Sequence, residues 1–179
     1  MTPPPIGEAL SLGWERFKEN AVPLILAILC ANLLFIIPLA GIGLGMAGAL
    51  LVGTKVARGE AAVVGDAFVA FQRPVDHIMI GLLQISGLLL CLVGGLVTAP
   101  LFYQGHMLII EKGVTWQEAM NTCIEQIKPN WLEWTIYWFV LMLVAQLGVL
   151  ACCVGVFVTA PIVAVAQGYA YDRTLGARG

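Results

Sequence analysis

The chain has 179 residues, of which 60% are hydrophobic and 11% charged, with 20 Gly, 9 Pro and a mean hydropathy of +0.91. Soluble domains carry roughly 45–50% apolar and about 25% charged residues, so this composition argues against a water-soluble fold and equally against a disordered chain. A net charge of -2 and the lack of any Lys/Arg-rich run offer nothing to a nucleic-acid backbone, which leaves an integral membrane protein.

The first predicted unit covers residues 5–54. Met1 to Asn20 mixes Glu8, Glu15 and Glu19 with Arg16 and Lys18, without the basic-then-apolar order of a cleavable signal, so no removable segment is expected. Leu10, Trp14 and Phe17 fall on one helical face opposite the charges, the pattern of a helix lying in the headgroup plane. Asn20 to Thr54 is free of charge and too long for one span, since about 20 residues cross a roughly 30 Å core. Pro38-Leu39-Ala40-Gly41 supplies the break for a hairpin. Gly41 and Gly45 form a Gly-x-x-x-Gly pattern that reads first as close helix packing and second as a partner contact.

The second unit, 55–110, opens with a short interfacial segment around Asp66-Ala67-Phe68 and Phe71-Gln72-Arg73-Pro74, then a charge-free run from His77 to Ile110 with its break at Gly94 to Pro100. The third, 111–179, has an interfacial helix over Glu118-Ala119-Met120 and Ile127-Lys128-Pro129-Asn130, a charge-free run from Trp134 to Tyr171 broken at Gly155 to Pro161, and a short tail. Placing Pro100 and Pro161 in the first turn of a new helix leaves about 14 residues before the next charge, roughly 21 Å, which is short of a full crossing. The outer turns are then expected within the outer leaflet.

Gly81–Pro100 aligns without a gap on Met142–Pro161 at an offset of 61, with ten identities that include Cys91/Cys152 and the closing Val-Thr-Ala-Pro, so the units read as an internal repeat with the first a weaker copy. Two spans per unit put the charged connections and both termini on one face, and all nine Lys and Arg with them. By the positive-inside rule that face is the cytoplasm, in a cell inner membrane. The expected fold is therefore all-α: one membrane domain, 1–179, a polytopic transmembrane bundle of six spans in three pseudo-repeated hairpins, with amphipathic interfacial helices on the cytoplasmic side.

Gly13-Trp14-Glu15-Arg16-Phe17-Lys18-Glu19-Asn20, Ala57-Arg58-Gly59-Glu60, Asp66-Ala67-Phe68-Val69-Ala70-Phe71, Ala119 and Gly168-Tyr169-Ala170-Tyr171 together carry a resemblance over nearly the whole chain. The sequence resembles a family of uncharacterised bacterial six-span integral membrane proteins, similar to the membrane domain attached to some glycerophosphodiester phosphodiesterases. The resemblance implies the fold and the membrane location. With no phosphodiesterase domain fused here, it brings no enzymatic activity.

Polar side chains inside spans are the first candidates for a ligand or pore site: Asn32, Gln84, Gln104, His106, Gln146 and Gln167. The repeat offset sets Gln84 near Gln146 and His106 opposite Gln167, as if in one polar layer; the plainer reading is hydrogen bonding between helices. His106 shows no second histidine or carboxylate at ligand spacing, and Asp76-His77 reads as a solvated pair at the membrane surface. Cys30, Cys91 and Cys152 or Cys153 recur at similar repeat positions and read first as small packing residues, second as a soft-metal site. Trp131, Trp134 and Trp138 make an aromatic stripe; with Trp14 and Phe17 they are candidates for the lipid interface or a partner. No Gly-rich phosphate loop, metalloprotease motif, nucleophile elbow or paired intramembrane carboxylates occur, so no catalytic residue, metal or cofactor is expected.

Together these point to a non-enzymatic accessory or structural membrane protein packing with lipids and with other membrane subunits or itself. The alternative is a small channel or transporter for an uncharged solute or lipid.

Overall fold

Long apolar runs in a bilayer are forced into helix, because only there can every backbone N–H and C=O be satisfied within the segment. The computed structural model of the chain describes residues 1–90, 92–150 and 155–176, and all regular structure among them is helical. Eight α-helices follow in order: α1 (Ile6–Leu33), α2 (Ala40–Ala57), α3 (Pro74–Leu90), α4 (Leu92–Tyr103), α5 (Gly105–Lys112), α6 (Trp116–Ile127), α7 (Trp131–Leu150) and α8 (Val156–Thr174). Among the described residues three helical stretches are long and apolar enough to cross a membrane: Ile6–Ile36, Ala40–Ala57 and Trp116–Leu150.

The lead-in segments join the apolar runs in three ways. In the first unit the two merge into α1, with a break in helical geometry at Asn20 (φ -131°, ψ 31°). Pro23 is the cause, since it donates no hydrogen bond to the carbonyl four residues back and its ring presses on that turn. In the second, Val64–Gln72 is wound as a 3-10 helix instead of the α-helix of the other units, ending at Arg73 before Pro74 opens α3. In the third, α6 begins with a capping box in which Thr115 Oγ1 accepts from Glu118 N at 3.4 Å and Glu118 Oε2 accepts from Thr115 N at 2.9 Å. A 3-10 turn over Lys128–Asn130 then leads to α7.

The turn between α1 and α2 lies where the sequence put it. Leu39 (φ 60°, ψ -52°) sits in a tight three-residue turn closed by Ala40 N donating to Pro38 O at 2.6 Å. The other two prolines do not open helices. Pro100 lies inside α4 and Pro161 inside α8, which starts at Val156. The helices therefore begin earlier than the proline rule suggested: α4 runs through Gly94–Pro100, where a hairpin break was expected, and the uncharged part of α8, Val156–Tyr171, reaches roughly 24 Å, still short of a full crossing. Cys91, Cys152 and Cys153, the candidates of the cysteine reading, lie outside the described residues; Cys30 is half-buried and Cys123 buried.

Packing centres on α2 and α8. An added Cβ at Gly53 would land on the carbonyl of Ala164, and one at Gly168 on the backbone of Thr54, so these two helices approach at backbone distance. Gly43 meets Gly81 of α3 in the same way, 2.6 Å from an added Cβ. One core cluster joins Leu50, Ile80, Met107, Leu141, Ala166 and Tyr171; a second joins Leu24, Ala27, Ile28, Val52, Val56 and Val165.

The charged stretches converge. Arg58, just past α2, donates through Nε to Asp172 Oδ1 of α8 at 2.8 Å and through Nη1 to Glu111 Oε1 of α5 at 2.5 Å. Tyr171 Oη donates to Glu111 Oε2 at 2.9 Å, Tyr169 Oη bonds to Glu8, and the Arg16 guanidinium lies beside Gly59. Burial disfavours the charge on Arg58, but the hydrogen bonds to Glu111 and Asp172 outweigh it and raise its pKa above the ordinary value.

Candidate functional site

The six candidate polar residues do not form one layer. Gln84 and His106 come together with His77, a residue the sequence placed in solvent but which is only 1% exposed. His77 Nδ1 lies 3.2 Å from His106 Nδ1, and His106 Nε2 lies 3.1 Å from Gln84 Oε1. With Gln84 presenting Oε1, the matching tautomer has His106 donating from Nε2 and accepting at Nδ1 from His77, while Gln84 Nε2 stays unpaired. The two imidazoles thus form a directed chain that ends on an amide. Thr98 Oγ1 anchors the backbone beneath it, donating to Gln84 O at 2.8 Å.

His106 therefore does have a histidine beside it, contrary to the spacing argument. The two are 29 residues apart on different helices, and no local periodicity links them. Among the described residues no group of three or more His, Cys, Asp or Glu gathers as a metal site.

Asn32 and Gln167 lie elsewhere. Both line a cavity of about 170 Å³ between α1, α2, α7 and α8, with Tyr103 of α4 as a third polar wall residue that the sequence reading did not single out. Gln104 is buried with its Oε1 unpaired among the described residues, and it does not line the cavity. Gln146 is exposed on α7. The predicted layer is thus divided among a histidine chain, a cavity, a solitary buried amide and an outer surface.

No family model, curated protein or solved structure matches this chain.

The aromatic candidates also separate. Trp14 is 48% exposed and stacks on buried Phe17 with centroids 5.9 Å apart, while Lys18 Nζ sits over its ring. Trp131 is exposed, Trp138 is half-buried and lines the cavity, and Trp134 is buried with Nε1 donating to Met1 O at 2.8 Å. The stripe therefore straddles the edge between core and surface. Gly45 is buried against α1, where an added Cβ would lie 2.7 Å from Ala31 O, and Gly41 against the 3-10 turn Leu34–Ile36 that follows α1, where an added Cβ would strike Leu34 O. Their close approach is within the chain.

Proposed function

We propose that this chain is a non-enzymatic membrane protein of the inner membrane, built as three two-span repeats with both termini cytoplasmic, and that it acts as an accessory or structural subunit. It belongs by resemblance with the six-span family described above. The observation that carries the role is the outer face of α7. Leu132, Ile136, Phe139, Leu143, Gln146 and Leu150 are all exposed and follow one another at alternating steps of four and three. That spacing is the seam of a helix awaiting another helix. Near its C-terminal end Gln146 presents an amide, and a lone amide in hydrocarbon is costly until a neighbouring helix supplies a hydrogen bond worth about 0.6–2 kcal/mol.

Other geometry supports the repeat and the topology. Thr98 Oγ1 donates to Gln84 O and Thr159 Oγ1 to Ala145 O, two bonds that are 61 residues apart at both ends. Glu111 and Asp172, again 61 apart, share Arg58. That the charged stretches meet at one end of the bundle favours a single cytoplasmic face. A pore has less support, because the polar residues line no common path and α2 is sealed to its neighbours through glycine.

Cysteine placed at position 143 should cross-link to a second copy or to another membrane protein in native membranes. Gln146→Leu should weaken that association about 3- to 30-fold. A wild-type chain that stays monomeric in mild detergent, with no co-purifying membrane protein and no cross-link, would overturn the reading.

A further inference from the structure

The cavity between α1, α2, α7 and α8 is lined by three polar side chains with no hydrogen-bond partner among the described residues. Among the described residues, the side chains of Asn32, Tyr103 and Gln167 make no hydrogen bond to the chain, although Tyr103 and Gln167 are each only 7% exposed. Every other part of the wall is apolar or aromatic, including Phe35, Trp138 and Met142, and no charged side chain lines it. Asn32 also borders a smaller cavity of about 30 Å³ that continues between α1 and α8 past Ile28 and Ala160.

Two amides and a phenol offer both donors and acceptors but no charge. In a bilayer, groups of this kind left without partners cost free energy, so their occupant must bring oxygen atoms of its own. A phosphate or carboxylate would enter with its charge unmatched. A volume near 170 Å³ is below the roughly 300–1,000 Å³ of a site that encloses a whole ligand, and suits one polar group with the start of its chain, the remainder lying along the α1–α8 groove.

The geometry points to a binding site for an uncharged lipid, held by its carbonyl or hydroxyl oxygens between Asn32, Tyr103 and Gln167 with its chain against α1 and α8. This rests on the membrane-embedded reading above. It is independent of the α7 seam, whose amide lies outside the cavity.

The test uses the full chain in nanodiscs with two photoreactive probes of identical acyl chains, a diacylglycerol and a phosphatidylglycerol. The neutral probe should label α1 and α8 peptides in preference to the anionic one. Asn32→Leu with Gln167→Leu should reduce that labelling about 25-fold, from about fivefold for each hydrogen bond. Ala160→Phe, which fills the groove while leaving the amides in place, should reduce it as well and covers the case in which the double variant does not fold. Gln146→Leu should leave it unchanged. Equal labelling by both probes, or labelling that survives both groove changes in folded protein, would overturn the site alone. Release of the chain from membranes by carbonate would overturn the embedded reading and the site with it.

Discussion

His106 shows how much a buried polar residue depends on its neighbours. Its two ring nitrogens have two partners, His77 at 3.2 Å and Gln84 at 3.1 Å. Removing it strands two groups at once. His106→Leu is expected to cost about 1–3 kcal/mol, read as a lower unfolding temperature in detergent, because Gln84 Oε1 and the His77 Nδ1–H both lose their acceptor or donor in a dry interior. An unchanged midpoint would mean that the chain of hydrogen bonds contributes nothing net. Gln84 and His106 were legible as interior polar residues, since each stands in a charge-free run. His77 was not, because it lies beside Asp76 at the start of α3, and only the packing of α3 against its neighbours draws it inward. Tyr103 was hidden for a different reason: phenols are common at membrane boundaries, and nothing local marks one as facing a cavity.

At the scale of elements, proline and threonine act according to what surrounds them. Pro23 breaks the geometry at Asn20 inside one long helix, whereas Pro100 and Pro161 sit within α4 and α8 and open nothing. The rule that proline favours a first turn holds only where no upstream residue is already helical; Val, Gly and Thr before both prolines are poor helix formers, so packing against neighbouring helices, not propensity, extends α4 and α8 upstream. The start of α6 is set by a local device that the sequence reading did not single out, Thr115 three residues ahead of Glu118. Thr115→Ala should lower stability by about 1 kcal/mol and leave the far end of α6 intact, which amide exchange along the helix will show. Protection lost evenly over the whole helix would contradict a role confined to the cap. The seam of α7 belongs to this scale too: its residues were visible as an apolar run, but which side remains uncovered depends on where α4 and α8 pack.

Across the whole molecule the charges form a clasp. Arg58, Glu111 and Asp172 tie the ends of α2, α5 and α8, which are remote in sequence and brought together only by the fold. Arg58→Met is expected to destabilise by about 1–3 kcal/mol, below the value for a fully buried pair because the partners retain some solvent, since it removes the cation that Glu111 and Asp172 share. Glu111→Gln should cost less than Arg58→Met, because Asp172 still balances the guanidinium. If the order is reversed in thermal unfolding, the arginine is not the hub. By itself, the sequence determined the membrane class, the helical class, the position of every charged stretch and the glycine-rich character of α2, because each follows from composition or from spacing along one segment. The tertiary structure alone decided that the polar candidates divide among a histidine chain, a cavity, a buried amide and an outer seam. The reason is that a helix presents every side chain at fixed local spacing, while the identity of the facing helix, and so the partner of each polar group, is set by packing between segments far apart in the chain.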